Sequence, residues 1–246
     1  MSLQIHLHSC RDVAIRSVAR EIATLIRNKP HAVLGLATGA TPIPLYRELV
    51  RLHREEGLSF RQVTTFNLDE YLGLEPTHPE TYWNFMHRHL FDRIDIPAAN
   101  IHMPHAQLAE ADILSHCEAY EDAIRVAGGI DYQILGIGRT GHIGFNEPGS
   151  PADSITRRIH LDAITRQDAA PAFGDLAHVP KHAITMGCGT ILAARKIALL
   201  AFGESKADIV RRALREPVTD QVSASFLQNH PEAHFHLDPA SASALG

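Results

Sequence analysis

Cysteine is scarce in this chain: Cys10, Cys117 and Cys188 are the whole complement among 246 residues. Three scattered thiols build neither a disulfide framework nor a cysteine-ligated zinc site. No apolar run reaches 18 residues, which excludes a hydrophobic spanning helix, and residues 1–10 lack the charged start and long apolar centre of a signal peptide. A cytoplasmic protein without a membrane partner is therefore expected. Positive charge is also in deficit, with 23 Lys and Arg against 28 Asp and Glu and a net charge of −5. That balance excludes nucleic acid as the main partner while leaving room for a small anion bound by locally concentrated cations. Histidine is plentiful at seventeen, yet the pairs His87/His89, His102/His105 and His234/His236 lack both HExxH spacing and accompanying cysteines. Solvated or structural imidazoles are expected there, and no metal or other cofactor.

What is present is the composition of an ordinary globular protein, 45% hydrophobic and 21% charged. A chain of this length buries roughly 70–75% of its unfolded surface, and no repeat, low-complexity tract or interior linker divides it, so residues 1–246 read as one domain. Val13, Ile15, Val18, Ala19, Ile22, Leu25 and Ile26 recur at helical intervals and predict an amphipathic helix over Arg11 to Asn28. A buried strand over 31–37 follows. The segment Thr38-Gly39-Ala40-Thr41-Pro42 then opens a helix to about Glu56, with Thr41 as N-cap and Pro42 in the first turn. Strand, Gly/Thr loop and helix amino terminus make an anion site, because free N–H groups and the helix dipole both face the incoming charge. The loop lacks the Gly-Lys-Ser/Thr of a nucleoside triphosphate loop, so a simpler phosphate is the candidate.

The next strand, over 62–68, ends in Asp69-Glu70-Tyr71-Leu72-Gly73. Adjacent side chains of extended backbone point to opposite sides, so one of the two acids faces a cleft and the other turns away. Residues 79–91, with Tyr82, Trp83, Phe85 and Met86, read as a helix contributing aromatic packing. A helix over 106–126 presents Glu110, Asp112, Glu118, Glu121 and Asp122 as a solvated face. Beyond it, 155–161 predicts a short strand, and 168–179, rich in Ala, Pro and Gly, a loop or lid. Strands over 182–186 and 196–202 follow, then a helix from Gly203 to Leu214. Lys206 sits in the first turn of that helix, where the dipole disfavours a cation unless an anion binds beside it. A last helix near 221–228 and an alternating strand, Ala233 to Leu237, complete an α/β three-layer sandwich with a mainly parallel, Rossmann-like sheet flanked by helices.

The stretch Gly136-Ile-Gly-Arg-Thr-Gly-His-Ile-Gly-Phe-Asn-Glu-Pro-Gly-Ser150 concentrates the chemistry. It follows a buried strand over 132–137 and places five glycines between 136 and 149, which permits tight turns and close approach of a ligand to backbone. His142 is its one side chain that titrates near neutrality unaided. Glu147 supplies a carboxylate to orient that imidazole, and Pro148 restricts the backbone of Glu147. Loops 38–42, 69–73, 138–149 and 203–206 all lie at strand carboxyl ends, where an α/β sheet places its site. Together they suit acid–base chemistry on a phosphorylated sugar, without a metal, nucleotide or covalent nucleophile.

The strings LATGATP, TFNLDEYLGL, GHIGFNEPGS, VPKHAITMGCGTI and FGESKA, in that order over nearly the whole chain, resemble the glucosamine-6-phosphate deaminase/isomerase family. The resemblance implies conversion of glucosamine 6-phosphate and water to fructose 6-phosphate and ammonia, with a phosphorylated amino sugar as partner and no redox cofactor. It implies that Asp69 moves the proton from C2 to C1, that His142 is the ring-opening acid–base group, and that Glu147 is its partner. Gly39 to Thr41 and Lys206 are implied as phosphate contacts, with Thr38, Ala40 and Gly138 among the substrate-binding positions. Three positions depart from the pattern. Thr140 stands where the family commonly has Asp before Gly-His, which shifts orientation of the imidazole onto Glu147. Pro171 stands where an arginine approaches the phosphate, leaving Arg166 or a neighbouring basic side chain to replace it. Ile159 stands where allosterically activated relatives have a lysine, so such activation is not expected. A galactosamine-6-phosphate deaminase and a non-catalytic sugar-phosphate-sensing domain are the alternatives, the sister 6-phosphogluconolactonases being less similar beyond the Gly-His pair. A homo-oligomer is compatible with all of these.

Overall fold

The computed structural model describes residues 3–246. A seven-stranded sheet, every neighbouring pair parallel, runs β1-β10-β9-β6-β2-β3-β5 across the molecule. These strands are β1 Gln4–Leu7, β2 Val33–Leu36, β3 Thr64–Asn67, β5 Ile101–His102, β6 Tyr132–Leu135, β9 Lys196–Ala201 and β10 Ala233–Leu237. Among the described residues seven α-helices accompany them: α1 Arg11–Asn28, α2 Ile43–Glu56, α3 Tyr82–His89, α4 Ile113–Val126, α5 Ala163–Phe173, α6 Cys188–Leu192 and α7 Ala207–Arg215. The expected mainly parallel, helix-flanked architecture is therefore what the chain adopts. The central strands β2 and β6 are buried along their whole length, as strands of a parallel sheet with helices on both faces must be.

Strand order explains where a ligand goes. From β2 the chain moves outward through β3 to β5, then returns with β6 on the other side of β2 and continues outward through β9 and β10. The reversal makes the loops after β2 and β6 diverge and open a crevice at the strand carboxyl ends, the position where open α/β sheets bind ligands.

Several expectations are corrected. The residues after Leu68 are not simply a loop: β4 Asp69–Tyr71 joins β8 His182–Thr185 and β7 Arg157–His160 in a separate antiparallel sheet of order β4-β8-β7. Tyr71, Leu74, Phe145, Leu161 and Ala183 form a second apolar cluster beneath it. Thr41 does not cap α2; Pro42 occupies the cap position in helical conformation with no side-chain cap bond. The anticipated loop or lid over 168–179 is instead the carboxyl half of α5, followed by a 3-10 turn at Leu176–His178. Asp162 caps α5 by accepting from the Ile164 N–H, and the alanines of 169–172 favour helix enough to accommodate Pro171 near its end. The predicted helix near 221–228 is a 3-10 segment, Ser223–Asn229. Glu121 is not merely solvated, since one carboxylate oxygen accepts from the Thr156 N–H at 2.7 Å and the Thr190 hydroxyl at 2.6 Å. Strand β1 has no counterpart among the elements that the sequence predicts. Among the described residues no helix is long and apolar enough to cross a membrane.

Candidate active site

Four segments meet at the crevice: the loop after β2, the start of β4, the loop after β6, and α3. They enclose a cavity of about 180 Å³ whose lining includes Thr38, Gly39, Ala40, Thr41, Asp69, Gly138, His142 and Tyr82. All but Tyr82 are sequence-predicted site residues; Tyr82 reads in the sequence as packing only. Glu147 lies behind His142, and Lys206 reaches the same strand end from α7's side, its ammonium donating to the Ile137 carbonyl at 2.8 Å. A wider depression of about 810 Å³ lies elsewhere, over α1 with Glu21, Tyr132 and Lys196. Its two acids are already paired, Glu21 to Lys196 at 2.6 Å and Asp131 to Lys29 at 2.7 Å, and it lacks the converging loops of the crevice.

The loop after β2 is an anion cradle. Gly39 has φ of +92°, which a side chain would strain, and so the loop turns sharply into the amino terminus of α2. Among the described residues no backbone N–H of Thr38 through Thr41 donates to another backbone group, leaving these donors for a bound anion at a positive helix end.

Asp69 and Glu70 divide as extended geometry requires. Asp69 lines the cavity, whereas Glu70 turns away and accepts N–H bonds from Tyr71, Tyr82 and Trp83, each at 2.9 Å. Two of those donors belong to the first turn of α3, so Glu70 anchors that helix beside the cleft. Burial pushes the Glu70 carboxyl up to about 7, against the three N–H donors that favour its charged form. Asp69 has no such donors among its side-chain contacts. Burial foremost, and the neighbouring Glu70 charge, push it up to about 8. Gly144 lets Asp69 sit where it does: with φ of +56° it packs so closely that a β-carbon there would lie 3.4 Å from Asp69 Oδ2 and 3.0 Å from Thr185 Oγ1.

The imidazole of His142 is held from below and behind. Its ring occupies the space a side chain on Gly138 would need, since a β-carbon there would come within 2.1 Å of Nε2. Nδ1 lies 2.9 Å from Thr140 Oγ1 and 3.3 Å from Glu147 Oε2. The second contact sets a carboxylate against the ring nitrogen but is not aligned as a hydrogen bond, and Oε2 has no hydrogen-bond partner. Thr140 is thus the nearer group to Nδ1, so orientation of the imidazole has not passed to Glu147 alone as the sequence suggests. Burial works to raise the Glu147 carboxyl, but His142, the Thr165 hydroxyl and the Asp162 N–H outweigh it and hold it below its ordinary value. A carboxylate beside Nδ1 favours the tautomer protonated there, leaving Nε2 bare as a base.

Several positioning residues escape sequence reasoning. Buried Asn146 donates to the carbonyls of Ile143 and Met186 at 2.9 and 2.8 Å, tying the β6 loop to the end of β8. Arg157 donates to Asn146 Oδ1 at 2.9 Å, and Ser223 links the Ile143 N–H to the Asn146 carbonyl. The Asn of Phe145-Asn146-Glu147 is the available signal; the remote partners have none. Arg166 donates to the carbonyls of Leu176 and Val179 at 3.0 and 3.1 Å, which commits it to holding the chain after α5. Arg139, by contrast, adjoins Gly138 and pairs with Asp168 at 3.1 Å. Burial foremost lowers the Lys206 ammonium, the Asp168 charge opposes that, and the Arg139 charge adds to it, so all three groups share one field.

Known proteins of this kind resemble the chain over most of its length. It is 48% identical over 235 residues to glucosamine-6-phosphate deaminase 1 of Giardia intestinalis, covering 95% of this chain and 87% of that protein. It is 51% identical over 227 residues to the glucosamine-6-phosphate deaminase of Shewanella loihica, covering 92% and 84%. The solved structure of a monomeric glucosamine-6-phosphate deaminase superposes with a TM-score of 0.94 at 41% identity, covering 98% of this chain and all of that one. A 6-phosphogluconolactonase from Trypanosoma brucei superposes at 0.78 with 21% identity over 99% of each chain, a likeness of fold. Residues 8–235 match the family model described as glucosamine-6-phosphate isomerases/6-phosphogluconolactonase, and the chain belongs to that family.

Proposed function

We propose that the chain is a glucosamine-6-phosphate deaminase, converting glucosamine 6-phosphate and water to fructose 6-phosphate and ammonia. The observation that supports this most is the facing of one unpartnered buried acid, Asp69, and one carboxylate-backed imidazole, His142, across a cavity floored by free N–H groups.

A closed pyranose conceals its aldehyde. In this reading Nε2 of His142 takes the anomeric hydroxyl proton and returns a proton to the ring oxygen as the C1–O5 bond breaks, so the ring opens with no net proton change. Glu147 and Thr140 hold Nδ1 and keep the imidazole in register. Asp69 then takes the C2 proton of the 2-amino aldehyde while the substrate 2-ammonium group gives a proton to O1, forming an enolamine, and Asp69 delivers the C2 proton to C1. Water adds to the resulting C2 imine and ammonia leaves, yielding the ketose. Asp69 must be ionised to begin, and a substrate 2-ammonium group is the charge that draws its carboxyl down from its raised resting value.

The phosphate is the tether. The Thr38–Thr41 cradle receives it, Lys206 supplies a cation at the neighbouring strand end, and Arg139 takes the part that Pro171 cannot. In that account Asp168 is the resting counter-ion of the two cations, displaced when the dianion arrives. Fixing the far end of a flexible open chain spends binding energy on alignment of C1 and C2 with Asp69. The test is ammonia release from glucosamine 6-phosphate, galactosamine 6-phosphate and N-acetylglucosamine 6-phosphate. Release from the first alone is expected. Release from the second alone transfers the assignment to the galacto epimer, and binding without release from any makes the chain a sensor.

A further inference from the structure

Strands β1 and β10 stack four imidazoles on one face of the sheet edge, far along the sheet from the crevice: His6 and His8 on one strand, His234 and His236 on the other. Residues two apart share a face of a strand, and the parallel register sets His6 beside His236. The rings lie nearly parallel, with centroids 4.8 Å apart for His6 and His236, 5.0 Å for His6 and His234, and 5.3 Å for His8 and His236. A ring nitrogen from each of His6, His234 and His236 lies within 4.8 Å of the other two.

The hydrogen bonding of this ladder is incomplete in a particular way. Glu232 lies 3.3 Å from His234 Nε2 and holds the proton there, which leaves the Nδ1 lone pair facing His6 Nε2 at 2.9 Å. His8 Nε2 lies 3.1 Å from His236 Nδ1. The opposite nitrogen of His236, Nε2, is fully buried with no partner. When His236 donates from Nδ1 to His8, Nε2 is a bare lone pair. An imidazole whose second nitrogen donates to an orienting acceptor is the usual form of a metal-bound histidine. Glu21, held by Lys196 at 2.6 Å and Tyr132 at 3.1 Å, adds a negative field that acts on His8, His234 and His236.

We propose that His6, His234 and His236 bind one divalent first-row transition-metal ion, Zn²⁺ first among them, in a site that ties the edge strand β1 to β10. Imidazole donors select this class over Mg²⁺ or Ca²⁺, which prefer oxygen. Three nitrogens about 2.0 Å from Zn²⁺ in tetrahedral geometry lie about 3.3 Å apart, so binding draws the rings inward and replaces the proton shared by His6 and His234. His6 is half-buried, which gives the ion a way in. The ion would fasten a four-residue edge strand, paired on one side alone, to β10. This proposal is independent of the reaction assigned to the crevice.

The experiment uses untagged full-length protein stripped with a chelator, titrated with Zn²⁺ by calorimetry and with Co²⁺ by visible absorption. One ion per chain is expected, with ligand-field bands for Co²⁺ and a Zn²⁺-dependent rise in Tm. His6→Ala weakens binding by more than about 100-fold and removes the Tm rise, while ammonia release by the metal-free variant matches metal-free wild type. Should His6→Ala fold poorly, His234→Gln gives the same readouts. Wild type that binds no more Zn²⁺ than His6→Ala, or a variant that binds as tightly as wild type, overturns the site.

Discussion

Replacing Asp69 by Asn separates what the acid does for chemistry from what it does to stability. Its carboxyl is displaced from 3.8 to about 8, by burial first and the Glu70 charge second. Between those values the folded chain keeps a proton that the unfolded chain has released, so stability falls as pH rises from about 4 to about 8 and then levels off. At pH 7 about three units of that displacement have been traversed, and at ~1.4 kcal/mol each the buried acid costs on the order of 4 kcal/mol. The substituted side chain carries no charge but leaves an amide short of partners, at ~1–3 kcal/mol. The variant should therefore be more stable than wild type by about 2 kcal/mol at pH 7–8, a Tm gain of roughly 4–8 °C for a chain of this size. At pH 4.5 less than about one unit has been traversed, so the acid costs only ~1 kcal/mol and the gain should vanish or reverse. Turnover should fall by about 10²–10⁴ with phosphate binding retained. Thermal unfolding of both proteins from pH 4.5 to 8, beside ammonia release, checks both halves. A Tm difference that stays flat across this range would mean that Asp69 is solvated and ionised, and the reasoning about the cleft would fail. Undiminished turnover would remove it as the base.

Lys206→Ala and Arg139→Ala should each raise KM about 10-fold or more with a much smaller change in kcat, since both act on the remote phosphate; steady-state kinetics with glucosamine 6-phosphate decide it, and an Arg139→Ala enzyme with unchanged KM removes that residue from the tether. At Thr140, Val removes the hydroxyl from Nδ1 and should lower kcat by about 10-fold, whereas Asp should match or exceed wild type; a large loss in Thr140→Asp, measured by ring opening and ammonia release, would mean that the imidazole is organised from elsewhere. Gly138→Ala places a methyl 2.1 Å from Nε2 of His142, so it should abolish turnover while circular dichroism stays native; retained activity would show that the ring does not need that space.

How much of this is legible in the sequence depends on how local the cause is. Helix α1 follows its periodic apolar positions from Arg11 to Asn28, and β10 runs over the alternating residues Ala233–Leu237, because each pattern is contained within its own element. The same holds for Asp69 against Glu70, where alternation of extended backbone sends one acid to the cleft and the other to α3. What escapes is set by distant partners. Strand β1 is four residues long and pairs with a strand at the opposite end of the chain, so its histidines read as isolated until register places them beside His234 and His236. Residues 168–173 look like a loop because Pro171 outweighs the Asp162 cap and the alanine run. Arg166, a candidate for the vacant phosphate role, instead holds two carbonyls, and Arg139 occupies the neighbourhood of Lys206. Position along the chain does not distinguish them, because the choice is made by α5 folding back over the β6 loop. The same dependence bears on substitution at the site: the His142–Glu147 loop is fastened through Asn146, Arg157 and Ser223 to β8, β7 and the 3-10 segment after α7. A change at Arg157 should therefore disturb ring opening from a distance, through the angle of the imidazole, without touching the sugar.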